Sequence, residues 1–126
     1  MQIEEKTINL SEIAGDVNAF STKEIERPVK LTLTDLANGK IFSHYIEKQI
    51  MIGRNADNDL VIDNDKTVSG MQCRIYISRT GCRVEDTGSA NGTFLNGKLF
   101  LGSAPLNDND RLSMGKTNFL VSMEVC

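Results

Sequence analysis

Residues 68–97 read VSGMQCRIYISRTGCRVEDTGSANGTFLNG. Cys73, Ile75 and Ile77 alternate with polar neighbours, Thr80-Gly81 interrupts the run, and Cys82 and Val84 resume it. Alternation with a period of two marks strands with one buried face, because a helix would repeat its apolar residues every three or four positions. Thr80-Gly81 then turns one strand into the next. Asn96-Gly97 supplies a second hairpin turn, since both residue types tolerate positive φ. Between these turns Ser89 to Thr93 is a run of small, polar, flexible residues too poor in apolar bulk to be a strand, so it is a connection at a sheet end.

The same texture extends outward in both directions. Val29, Leu31 and Leu33 alternate, Asn38-Gly39 turns the chain, and Ile41 to Ile46 returns as a partner strand. Gln49 to Arg54 follows with Ile50 and Ile52 on one face, and Leu60 to Ile62 is a brief strand. Leu112 and Met114 precede a last strand in which Phe119, Val121, Met123 and Val125 face one way and Leu120, Ser122 and Glu124 the other. Short strands with a turn every eight or so residues predict an all-β sandwich. Residues 1–28 differ: Ile13, Val17 and Phe20 have helical spacing behind Ser11, but Gly15 interrupts them. That segment is expected to be a tail or linker, or a short helix on the domain, and residues 29–126 the domain itself.

Composition narrows the function. A chain of 126 residues, 40% hydrophobic and 25% charged, forms one core. Its net charge of -3 lacks the basic excess with which proteins displace counterions from nucleic acid, so no nucleic-acid partner is expected. Cys73, Cys82 and Cys126 are an odd set without C-x-x-C spacing, which fits neither a disulfide framework nor structural zinc and points to a reducing compartment. The opening MQIEEKTINL is acidic where a secretory leader would be basic and apolar, and no stretch is long enough for membrane insertion. A cytoplasmic location is the expectation.

Several apparent motifs do not survive inspection. Gly115-Lys116-Thr117 imitates the end of a phosphate-binding P-loop, but Asp110 stands at the required first glycine, and a strand pattern follows where a helix is needed. The acidic run NADNDLVIDND at 55–65 lacks the spacing of a calcium loop: counting from Asp63, Val68 occupies the glycine position and Arg74 the closing glutamate position. Those residues are expected to be solvated and to make local turn contacts. His44, the only histidine, has no nucleophile signature beside it. No catalytic group, metal or cofactor is therefore expected.

What remains is an ordered set of segments at strand ends: Gly53-Arg54, then Ser69-Gly70-Met71-Gln72, then Ser89-Ala90-Asn91-Gly92-Thr93. Together with the DNDLVI run, the VEDTGSANGTFLNG segment and the NDNDRLSMG approach to the last strand, this set resembles the forkhead-associated (FHA) domain from about Val29 to Val125. The resemblance implies a Greek-key type sandwich of about eleven strands whose loops at one end bind a phosphothreonine peptide. It implies a non-enzymatic module for phosphorylation-dependent interaction in Ser/Thr-kinase signalling. The chemistry agrees independently for Arg54, whose guanidinium offers parallel charge-assisted donors to a phosphate, and for Ser69, whose hydroxyl adds a neutral donor. Backbone amides around Ser69 and Gly70 can complete an anion site.

By the same resemblance Asn91 bonds the peptide main chain, while Lys66, Thr67 and Ala90 lie in the loops that set sequence preference, with Asn64, Asp65, Thr87 and Gly88 beside them. Gly53 and Gly92 are expected to be architectural. Three positions depart from the family pattern. Gln72 replaces a histidine that supports the loops from beneath, Gly70 replaces a longer polar or basic residue, and Ala90 replaces a threonine. These departures motivate the alternative of a phosphate-independent interaction or assembly scaffold with a degenerate site.

Overall fold

The structure, a computed structural model, describes residues 27–126. The expected tail or helix at 1–28 thus lies, apart from its last two residues, outside the described residues. Eleven strands follow in order: β1 (Val29–Asp35), β2 (Ile41–Ile46), β3 (Gln49–Gly53), β4 (Leu60–Val61), β5 (Cys73–Ser78), β6 (Gly81–Asp86), β7 (Thr93–Leu95), β8 (Lys98–Leu99), β9 (Ser103–Leu106), β10 (Arg111–Met114) and β11 (Thr117–Val125). They form a six-stranded sheet in the order β2-β1-β11-β10-β7-β8 and a five-stranded sheet in the order β4-β3-β5-β6-β9. The fold is the expected all-β sandwich.

Register explains the core. Leu31 sits opposite Met123, and Leu33 opposite both Val121 and Phe42, so the alternating residues of neighbouring strands share one face. Leu31, Leu33, Leu112, Met114, Phe119 and Val121 of one sheet and Ile50, Ile52, Cys73, Ile75 and Val84 of the other are buried between them. Phe42 meets Phe119 edge to face, with ring centroids 5.8 Å apart, the arrangement favoured by the ring quadrupoles. The alternation of β11 outlasts its burial: Val121 is inaccessible but Val125 is 66% exposed. There the sheets part around an apolar groove of about 340 Å³, with Val29, Ile77, Cys82, Leu106 and Met123 among its walls.

The strand pair β3 and β4 is parallel, and the other pairings are antiparallel. β3 and β4 both run toward the end of the sandwich where β5 begins and β6 finishes. The segments 54–59, 62–72 and 87–92 consequently gather at that end. The turn of β10 into β11 joins them, because Met114 pairs with Thr93 at the start of β7. The strands β8 and β9 carry no alternating pattern and were not expected; Pro105 in β9 is tolerated because β9 is an edge strand. Among the described residues no helix is long and apolar enough to cross a membrane.

Candidate functional site

Gly53 closes β3, and a methyl group there would lie 2.2 Å from the Gly70 carbonyl oxygen. Only glycine lets the two segments approach so closely. The contact is fixed by backbone pairing: Arg54 N–H donates to Ser69 O at 2.9 Å, and Asn55 N–H donates to Gly70 O at 3.2 Å. The buried Asn58 adds its side-chain amide, donating to Gly70 O at 2.7 Å and to Asn55 O at 3.0 Å. Arg54 is exposed, and its Nε donates to Val68 O at 2.9 Å. One of its three nitrogens thereby orients the guanidinium. The two terminal nitrogens have no partner among the described residues.

Gln72 braces the serine segment against the asparagine segment. It is only 1% exposed, and its Oε1 accepts from the Ser69 amide at 2.9 Å while Nε2 donates to Gly92 O at 3.0 Å and Thr93 Oγ1 at 2.9 Å. A neutral side chain that both accepts and donates is what this position requires. Ser69 Oγ accepts from the Ala90 amide at 2.9 Å, which leaves its own proton unspent. Asn91 is exposed and donates from Nδ2 to Thr67 O at 3.2 Å, and its Oδ1 has no partner among the described residues. Gly92 has φ +88, and a methyl there would meet Leu99 Cδ1 at 2.7 Å.

Two carboxylates hold these loops; in the sequence Asp65 stood out only beside the preference-setting residues, and Asp86 not at all. Asp86 accepts from the Ser89 hydroxyl at 2.6 Å, the Thr93 hydroxyl at 2.7 Å and the amides of Ser89 and Gly88. Burial pushes its pKa up, but those hydrogen bonds outweigh burial and the net shift is downward. Asp65 accepts from the amide and hydroxyl of Thr67 with one oxygen, and from the Lys116 amide at 2.8 Å and the Thr117 hydroxyl at 2.7 Å with the other. Here too burial raises the pKa and the Thr67, Thr117 and Lys116 donors lower it further, from 3.8 to about 2.

These contacts correct the expectation that the 55–65 run is solvated with only local contacts. Asn58 is buried, Asp59 accepts from the Met51 amide at 2.8 Å, and Asp65 reaches across to the β10–β11 turn. Short polar side chains here replace the ladder bonds that loops lack. The one signal in sequence was Asp86 three residues before Ser89, a spacing at which a carboxylate meets turn amides. Lys66 stands exposed beside this pin, with its neighbour Asp65 turned toward the β10–β11 hairpin.

The arrangement can bind an anion. Arg54, Ser69, Gly70 and Asn91 come from segments tied to one another, Thr67 and Ala90 are bonded into the same set, and exposed Lys66 precedes Thr67. No group of three or more potential metal ligands occurs among the described residues. Cys73 is no nucleophile, because burial, reinforced by the charge of Asp86, pushes its thiol up to about 12. His44 lies on β2, with Nδ1 2.7 Å from Tyr45 O.

Comparison with known proteins agrees with this picture. The sequence model of the FHA domain matches residues 50–115, just over half of the chain. Among curated proteins none matches significantly. The fold is similar to that of Mycobacterium tuberculosis EmbR, solved with a low-affinity phosphopeptide, at 24% identity and TM-score 0.66 over 77% of this chain and 25% of that one. The chain therefore spans about a quarter of EmbR. It is also similar to an FHA domain of a Chlamydia trachomatis protein, at 26% identity and TM-score 0.65 over 75% and 96% of the two chains. The N-terminal FHA domain of S. cerevisiae Rad53p, solved with a phosphothreonine peptide, superposes at 19% identity and TM-score 0.66 over 75% and 94%. With its sandwich and more than half of its length matched, the chain belongs to the FHA domain family.

Proposed function

We propose that this chain is a non-enzymatic module that binds phosphothreonine peptides and mediates phosphorylation-dependent protein interaction in Ser/Thr-kinase signalling. One observation carries the reading: the free end of the Arg54 guanidinium and the unspent hydroxyl proton of Ser69 are held by interlocked loops at the same end of the sandwich. A phosphate monoester near neutral pH carries almost two charges on three acceptor oxygens, which suits a fixed guanidinium flanked by neutral donors. Asn91 supplies a carboxamide oxygen free for an amide of the bound peptide. The phosphopeptides bound by EmbR and by Rad53p support the same assignment.

Two of the three departures from the family pattern weigh less in the folded chain than in the sequence. Gln72 makes bonds to both loops, and the Ala90 amide is placed by Ser69 without help from a side chain. Titration with matched phosphothreonine, phosphoserine and unmodified peptides tests the function. Strong preference for the phosphothreonine form is expected. Equal weak binding of all three, or a partner retained after phosphatase treatment, would replace this reading with the phosphate-independent scaffold.

A further inference from the structure

We propose that Asn55 is a further phosphate-binding residue, an inference that rests on the phosphopeptide reading of the site. The evidence is a nesting of backbone and side chain. Gly53 admits the carbonyl of Gly70, and Gly70 in turn admits the side chain of Asn55. A methyl group on Gly70 would lie 2.7 Å from Asn55 Nδ2, 2.8 Å from Oδ1 and 2.9 Å from Cγ. Gly70 does not have the positive φ that would itself call for glycine, so its missing side chain serves space alone. The carboxamide of Asn55 occupies the place where a side chain following Ser69 would stand.

Its mounting is rigid although its tip is exposed. The Asn55 amide donates to Gly70 O, and the Asn55 carbonyl accepts from both the backbone and the side-chain nitrogen of Asn58. The Asn55 carboxamide itself has no hydrogen-bond partner among the described residues. This matters because several donors around the site are already spent on the loops, although the Gly70 amide is not. Arg54 Nε serves Val68, the Ser69 amide serves Gln72, the Ala90 amide serves Ser69, the Gly92 amide serves Ser89, and Asn91 Nδ2 serves Thr67. A dianion with three oxygens needs more than the end of one guanidinium and one hydroxyl. Asn55 Nδ2 brings two N–H groups on the residue next to Arg54, against the residue next to Ser69.

The test is a mutant cycle read by fluorescence anisotropy, with a labelled pool of peptides bearing phosphothreonine in degenerate flanks and its unphosphorylated twin as probes. Asn55→Ala is expected to weaken the phosphorylated pool about tenfold, the loss of a hydrogen bond to a charged group. Weak binding of the unphosphorylated pool should stay as it was. Gly70→Ala, which pushes the carboxamide aside, should weaken binding comparably in the wild type and add nothing to Asn55→Ala. Asn55→Asp should weaken it more than Asn55→Ala, because a carboxylate then faces the dianion. Urea unfolding of each variant checks the fold, and the Ala and Asp variants share a backbone, so a difference between them reports charge at the ligand.

Wild-type affinity in Asn55→Ala, or a Gly70→Ala loss that persists in full on the Asn55→Ala background, overturns the proposal while leaving the phosphopeptide site intact, as continued sensitivity to Arg54→Ala would show. A wild-type chain that does not distinguish the two pools removes the phosphopeptide reading and Asn55 with it.

Discussion

The two ends of the sandwich are built on different principles. At the far end the chain reverses in tight turns, Thr80-Gly81 and Asn96-Gly97, where backbone conformation does the work: Asn96 and Gly97 have φ of 52° and 83°, the pairing of positive values that fits a twisted hairpin. At the site end the segments 54–59, 62–72 and 87–92 are longer, and Gln72, Asp86, Asp65 and Asn58 tie them, and the short β10–β11 turn, with side-chain hydrogen bonds that span up to 52 residues of sequence. In the far-end hairpin Asn96 adds side-chain bonds to Asp110 and to the Arg111 amide, but the shape of such a turn is set chiefly by its own backbone. A binding loop must keep a fixed shape without a ladder, and it obtains that shape from buried polar groups in other segments.

Substitutions at matched positions of the two ends should separate these principles. The largest contrast is in ligand binding. Arg54→Ala is expected to lower phosphothreonine-peptide affinity about a hundredfold, while Arg79→Ala, at another exposed arginine but at the far end, leaves it unchanged. Anisotropy titration of both variants decides it, and equal losses would mean that the ligand is held by diffuse charge. In stability, Leu106→Ala in the wall of the groove should cost about 2–5 kcal/mol by urea unfolding, with no change in the affinity of the folded molecules.

Gln72→Ala should cost about 2–3 kcal/mol, because it strands the Ser69 amide and the Gly92 carbonyl, and should also weaken the peptide about tenfold. Acid provides a smaller and graded test. The depressed pKa of Asp65 means that its contribution is complete above the unfolded value of 3.8 and is lost as pH falls through about 2. After allowance for solvent screening this amounts to about 1 kcal/mol, so Asp65→Asn should flatten the acid limb of the stability curve. The smallest effect belongs to Leu101→Ser, 89% exposed in the loop between β8 and β9, which should change stability by less than about 0.5 kcal/mol.

The sequence was most legible where structure is local. The alternation of Val29 to Leu33, Cys73 to Ile77 and Phe119 to Val121 placed core strands, and Asn96-Gly97 placed a turn, because neighbouring residues decide both. β8 and β9 were missed since KL and SAPL are too short and irregular to show a period. The candidate residues Arg54, Ser69 and Asn91 stood out only as an ordered set. Their supports did not. Asn58 and Asp65 look like solvated loop residues until the fold brings Gly70 and Lys116 beside them, and the use of Gly70 as space for Asn55 exists only in three dimensions.

The brace made by Gln72 has one more consequence. A histidine in that place would change charge near pH 6.5, and the loops it joined would feel the change. A carboxamide does not titrate. The chain's only histidine, His44, lies on β2, and Asp86 and Asp65 release their protons in acid. Across the neutral range Gln72, Asp86 and Asp65 therefore keep a single protonation state. Any variation of peptide affinity between about pH 5 and 7 then follows the second ionisation of the ligand's own phosphate, near pH 6. Under the proposed function, the site is a constant background against which the charge of the ligand's phosphate is measured.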